Sequence, residues 1–292
     1  MTRVSAITFL RPLLRPLFLP LLLLAAGTAQ GADRTLDRTF TVSPGGSLVV
    51  NADGASVNVS STDTDKVSVH MRVSSSERDL ADMTLDATQK GNEITATMRR
   101  PKSGGWFNLG SWRAESSIEV TVPRRFEINV KTGGGSIELR DTAGPVKLNT
   151  SGGDITAKNL NGTVWLRTSG GGINVENVRG DVDANTSGGD VRLLDIDGSI
   201  KGHTSGGNVR VSLAGTNRGI SATTSGGNID VTLPRATSGN VSASTSGGSV
   251  KTDIPVTTTV IKEGRLEGTL NGGGQSIELR TSGGDIRLRA EG

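Results

Sequence analysis

The stretch TSGGDITAKNLNGTVWLR, residues 150–167, runs without a gap into TSGGGINVENVRGDVDAN, residues 168–185, and TSGGDVRLLDIDGSIKGH, residues 186–203. The phrase Thr-Ser-Gly-Gly begins at Thr150, Thr168, Thr186, Thr204, Thr224, Thr245 and Thr281, and a variant, Thr-Gly-Gly-Gly, at Thr132. From Thr132 to Thr204 the interval is 18 residues at every step; it then widens to 20 and 21, and the last gap is 36, twice 18. A finer period lies inside it, because a Gly-x-(Ile/Val)-x-(aliphatic or small) phrase returns every nine residues from Gly135 to Gly207. Each phrase reads as a short strand. Ile155 and Ala157, and then Val164 and Leu166, stand two apart and point to one face, while Thr156 and Trp165 point to the other. Leu160, Val178 and Ile196 supply an apolar residue at the bend, and the glycines mark turns that need positive φ or close backbone approach. Two five-residue strands and two turns make one coil. Coils of equal length stack with like residue above like, giving an all-β, parallel β-solenoid (β-helix) of about 18 residues and two short strands per coil. An antiparallel meander explains the alternation equally well, but not the return of Thr-Ser at every second turn. A propeller repeats every ~40 residues, which does not fit.

Composition agrees with a narrow aliphatic interior. The 292 residues include 41 glycines, no cysteine, no tyrosine and only 3% aromatic side chains. Absent cysteine excludes a disulfide scaffold and any thiolate metal site. Collagen needs a strict three-residue glycine period, and disorder needs fewer regularly spaced aliphatics.

At the N-terminus Arg3, Arg11 and Arg15 precede an apolar run from Leu17 to Ala26, and small residues follow up to Ala32. This reads as a secretory signal over residues 1–31, with cleavage after Ala29 or Gly31. The run is too short and proline-broken for a spanning helix, which needs ~20 residues. The signal holds three of the 32 basic residues and no acid, so 32 − 3 = 29 bases remain against 29 acids. Export to the periplasm or cell surface is expected, with no spanning membrane segment after cleavage and no nucleic-acid partner.

Residues 32–130 alternate in the manner of strands but irregularly, as in Val67-Ser-Val69-His-Met71 and Phe126-Glu-Ile128-Asn-Val130. They are expected to form longer coils, or a small β cap continuous with the solenoid, with one helical turn from Ser76 to Asp82. Residues 131–292 are the regular repeat, resuming at the end as Gln275-Ser-Ile277-Glu-Leu279 and Asp285-Ile286-Arg-Leu288.

Gly45-Gly46-Ser-Leu48 with Val57-Asn-Val59, then Val120-Thr-Val122-Pro123, then the serial Thr-Ser-Gly-Gly-(Asp/Asn)-(Ile/Val), together resemble the bacterial putative-adhesin family of β-strand-repeat envelope proteins. The closing Leu270-Asn-Gly272-Gly-Gly274 is similar as well, so the resemblance runs from about Phe40 to Leu288. It implies an exported or membrane-anchored β-solenoid and carries no catalytic residue onto this chain.

The candidate sites follow from columns. Stacked Thr and Ser hydroxyls would either bond between coils or present a regular face to a glycan or to ice. Asp154, Asp190, Asn208, Asn228 and Asp285 follow the double glycine, but the calcium roll wants its acid one place earlier, so no metal and no cofactor is assigned. Outward positions read Glu138, Thr156, Asn174, Arg192, Arg210 and Asp230 in one strand. The other reads Lys147, Trp165, Asp183, Lys201 and Ser221, and neither repeats the acid pair that glycoside cleavage uses. His70 and His203 fall outward with no triad partner in view, so no catalytic residue is named and the chain is read as no enzyme. The aromatics are the candidate contacts for a ligand or partner. Trp165 stands in an otherwise polar column, and Trp106, Phe107 and Trp112 cluster in a glycine-rich insertion that would bind a partner or plug the solenoid end. The expected function is a non-enzymatic envelope module, adhesin-like or scaffolding, whose partner is an envelope protein or polysaccharide. The alternative is a glycan-binding or polysaccharide-processing β-helix, and end-to-end self-association is a further expectation.

Overall fold

The computed structural model describes residues 32–76, 80–81, 83–100 and 115–291. The proposed signal peptide and the insertion with Trp106, Phe107 and Trp112 lie outside the described residues. The described chain winds into two sheets, sheet 1 of 12 strands and sheet 2 of 13. In the regular region sheet 1 stacks Ile137–Arg140, Ile155–Asn161, Ile173–Arg179, Val191–Asp197, Val209–Leu213 and Ile229–Leu233. Sheet 2 stacks Val146–Asn149, Val164–Arg167, Val182–Asn185, Ile200–His203 and Ile220–Thr223. Pairing here is parallel and in register with the repeat, Ile155 opposite Ile173 opposite Val191, and Val164 opposite Val182 opposite Ile200. The fold is a parallel β-solenoid.

The two strands of a coil are unequal, seven residues against four in the coil from Ile155 to Arg167, where two of five were expected. The longer strand bends at a residue in the left-handed region: Asp141, Asn159, Asn177 and Asp195 have φ of 64°, 56°, 56° and 57°. Asn and Asp tolerate that conformation better than other side chains bearing a Cβ. Asn159 and Asn177 also donate side-chain amides to the Oδ1 of the residue one coil earlier, both at 2.9 Å. The bend swings Leu160, Val178 and Ile196 into the interior, where none is more than 3% exposed. There they join Ile155, Ala157, Val164 and Leu166 in an aliphatic column, where each large side chain contributes ~1.5–3 kcal/mol by leaving water.

Both ends depart from a simple winding order. Gly46–Ala52 lies between Glu93–Arg99 and Phe126–Thr132, parallel to both. Ser56–Thr62 likewise lies between Glu115–Pro123 and Ile137–Arg140. At the other end Ser276–Thr281 sits between Ile220–Thr223 and Gly239–Thr245, and Ile286–Ala290 between Ile229–Leu233 and Val250–Thr252. The last repeat in sequence is therefore next to last in space, and an early coil is tucked in the same way. The outer layers are antiparallel at three of the four sheet ends, the exception being Val250–Thr252, which pairs parallel at the far edge of sheet 1. Ala32–Thr41 pairs Lys66–Ser75, which pairs Glu115–Pro123, and Thr84–Lys90 pairs Glu93–Arg99. At the far end Gly239–Thr245, Arg265–Leu270 and Thr257–Lys262 run antiparallel in turn. Where the helical turn is expected, the Leu80 N–H donates to the Ser76 carbonyl at 3.1 Å and the Met83 N–H to the Leu80 carbonyl at 3.2 Å.

Candidate functional site

Three of the repeated columns are engaged in holding coil to coil. Thr132, Thr150, Thr168, Thr186, Thr204 and Thr224 are buried and donate their hydroxyls to a backbone carbonyl of the preceding coil at 2.7 to 2.9 Å. The threonine ladder thus points inward and bonds to backbone; the hydroxyl face is left to serine alone. The second glycine of each motif has no room for a Cβ, which would overlap the carbonyl of the preceding coil. After it, the Oδ1 atoms of Asp154, Asp190, Asn208, Asn228 and Asp285 each accept the backbone N–H of the residue stacked next in their column, at 2.7 to 2.9 Å. These bonds hold the Asp285 carboxyl below its usual range, chiefly through the Ser249 backbone N–H. Asp181 is lowered likewise, first by the backbone N–H of Ser199. Among the described residues no three His, Asp or Glu side chains gather as a metal-holding group.

The outward faces are the surfaces left for contact. On sheet 1, Glu119, Asn58, Glu138 and Thr156 stand side by side on four neighbouring strands and line a shallow cavity of about 390 Å³. Glu138 is bound by Arg140 at 2.5 Å, and Asp154 at the rim by the Gly172 N–H at 2.7 Å. Glu138 and Asp154 are thus each engaged within the stack. His70 does have a partner that the sequence did not suggest. Asp37 lies opposite it in an antiparallel pair, 2.6 Å from Nδ1.

On sheet 2 Trp165 is half-buried, with Lys147 on the neighbouring strand and Asp183 on the other side. The Lys147 Nζ lies 4.8 Å from the ring centroid and the Arg167 Cζ 4.5 Å, so two cations hold the ring against the sheet. Of the four aromatic candidates, Trp165 is the one among the described residues. The second outward column of sheet 2, which runs through Lys131, Asn149, Arg167, Asn185 and His203, was missed by reading only the first outward position of each strand. Its signal was present in the 18-residue spacing.

The model of the Toastrack DUF4097 family matches residues 46–289. No curated protein is matched. Among solved structures, the chain is similar to one described as a putative cell adhesion protein from Clostridium sporogenes, with 14% identity over 88% of this chain and 100% of that one, at a TM-score of 0.28. Another, a putative adhesin from Bacteroides fragilis, is 14% identical over 88% and 97% at 0.32. A third, described as a putative lipid binding protein from Parabacteroides distasonis, is 11% identical over 88% and 97% at 0.28. Since the matched span takes in the regular coils, both tucked coils and most of the antiparallel ends, the chain belongs to the Toastrack DUF4097 family.

Proposed function

We propose that this chain is an exported, non-enzymatic module of the cell envelope that works as an adhesin-like contact. A rigid stack holds columns of side chains at fixed spacing, and the outward face of sheet 2 around Trp165 makes the contact. The observation that carries this reading is Trp165 itself. It is a large ring on an outward column with Lys147 and Arg167 packed over it, and neither cation makes an ion pair among the described residues. The basic and then apolar N-terminal stretch supports export, and the mixed signs of the outward strands support a binding role over cleavage. Labelled protein is expected to be retained on intact bacterial cells. Trp165→Ala is expected to lose most of that retention while melting within a few degrees of the parent, because the ring supports no interior packing. Retention indifferent to Trp165, or shortening of envelope polysaccharide on incubation, would overturn the reading.

A further inference from the structure

The even balance of charge hides a segregation on sheet 2. Register bonds align Lys131, Asn149, Arg167, Asn185 and His203 in one outward column, so that cation or imidazole alternates with amide. The column continues through Thr223, Arg280, Ser244 and Arg265 to Lys262 without one acid. Beside it runs the column of Lys147, Trp165, Asp183 and Lys201. Over the strands from Phe126 to His203, Lys131, Lys147, Arg167 and Lys201 stand against the one acid Asp183 in the two columns; Glu278 and Glu267 enter the Lys147 column only beyond Ser221. None of the four cations makes an ion pair among the described residues. Glu127 and Asp181 lie at the strand entries, at the edge of the same face away from the second column; the Asp181 carboxylate accepts the Ser199 N–H at 2.9 Å and is close enough to Lys201 to feel its charge.

Adjacent strands are about 4.8 Å apart, so the cations of the second column recur about every 9.6 Å along the stack. A pyranose unit in an extended glycan advances by about one strand spacing. We infer that this face binds an acidic polysaccharide laid along the solenoid axis, carrying a carboxylate on alternate sugars. Each charged sugar would meet Lys131, Arg167 or His203, and each neutral sugar would offer its hydroxyls to Asn149 or Asn185. The Trp165 ring, with Lys147 and Arg167 over it, would hold those two cations toward the glycan. A guanidinium matches a carboxylate with two parallel donors, which favours Arg167 as the strongest point. Nucleic acid fits less well. A single strand has a phosphate on every sugar, and a duplex has a charge every ~1.7 Å, whereas here every second position is an uncharged amide.

This inference rests on the contact reading above and adds the ligand class, so its test separates the two. Binding of the full chain would be measured to hyaluronan oligosaccharides, with one carboxylate per disaccharide, and to polygalacturonate, dextran and oligothymidylate of matched length. Hyaluronan is expected to bind best, at least about tenfold above dextran, with affinity falling as salt rises. Lys131→Gln combined with Arg167→Gln should weaken it about tenfold or more, as the loss of charge-assisted bonds would. Arg192→Gln with Arg210→Gln, on sheet 1, should leave it unchanged. Equal or tighter binding of oligothymidylate or polygalacturonate would overturn the inference, as would equal loss from the sheet 1 pair. Absence of binding to every glycan, with Trp165-dependent retention on cells intact, would overturn the ligand class and leave the contact reading standing.

Discussion

At Gly152 an added Cβ would sit 3.6 Å from the carbonyl oxygen of Gly134, an ordinary contact, whereas at Gly153 it would overlap the carbonyl of Gly135. The two glycines of one motif are therefore unlike. Gly152→Ala is expected to change stability by less than about 0.5 kcal/mol, and Gly153→Ala to cost ~1–3 kcal/mol through forced backbone displacement; chemical denaturation compares them. Reading the sequence located this column and named close approach as a reason for glycine, but could not tell which of the pair needs it. Asp285 gives a second test. Its carboxyl is held below the usual range by the Ser249 N–H, so its stabilisation is complete above the unfolded pKa of about 3.9. That stabilisation is lost as pH falls through the lower folded value. Asn208 and Asn228 accept the same kind of bond in this column, so Asp285→Asn should keep the fold. Melting curves from pH 5 to pH 2 should fall less steeply for the variant than for the parent.

At the scale of the strand, alternation and the 18-residue interval were enough to place inward and outward residues, since two strands stacked in register leave each side chain only two directions. The unequal strand lengths escaped that reasoning. They depend on the left-handed bend at Asp141, Asn159, Asn177 and Asp195, whose 18-residue spacing was visible but whose backbone state is a property of the corner they share. The threonine column was half legible. Bonding between coils was expected, but the acceptor is a backbone carbonyl, because the hydroxyl points into the stack where no second hydroxyl meets it. Thr186 is 1% exposed and donates to the Gly171 carbonyl at 2.7 Å. Thr186→Val keeps its shape and removes the donor, and should cost ~0.5–1.5 kcal/mol, the net worth of one hydrogen bond to a half-buried carbonyl. Equilibrium unfolding checks the value. The cationic column on sheet 2 went unseen for a different reason. Balanced totals of acid and base say nothing about which side of a sheet each occupies.

Across the whole molecule, the repeat revealed the stacking but concealed the order of the layers. The gap of 36 residues before Thr281 looked like two further turns. Residues 257–270 form an antiparallel pair instead, and the chain then returns so that 276–290 slips beneath 239–252. Removing residues 275–292 thus takes away an inner layer, and Gly239–Thr245 and Val250–Thr252 both lose their parallel neighbours. Limited proteolysis of that truncation should cut throughout 234–274, while the coils from Val146 to His203 stay protected. Protection of 239–252 in the truncated chain would contradict the observed layer order.

The tucked coils also set a timetable. A protein made from its N-terminus leaves the slot below Gly239–Thr245 open until residues 276–290 are available, and the slot around Gly46–Ala52 open until residue 132 has arrived. Until then each vacant slot offers bare strand edges, which any passing extended segment can fill. Both slots are filled in the folded chain, so the hazard belongs to synthesis and transit, and the arrival of residues 276–290 ends it.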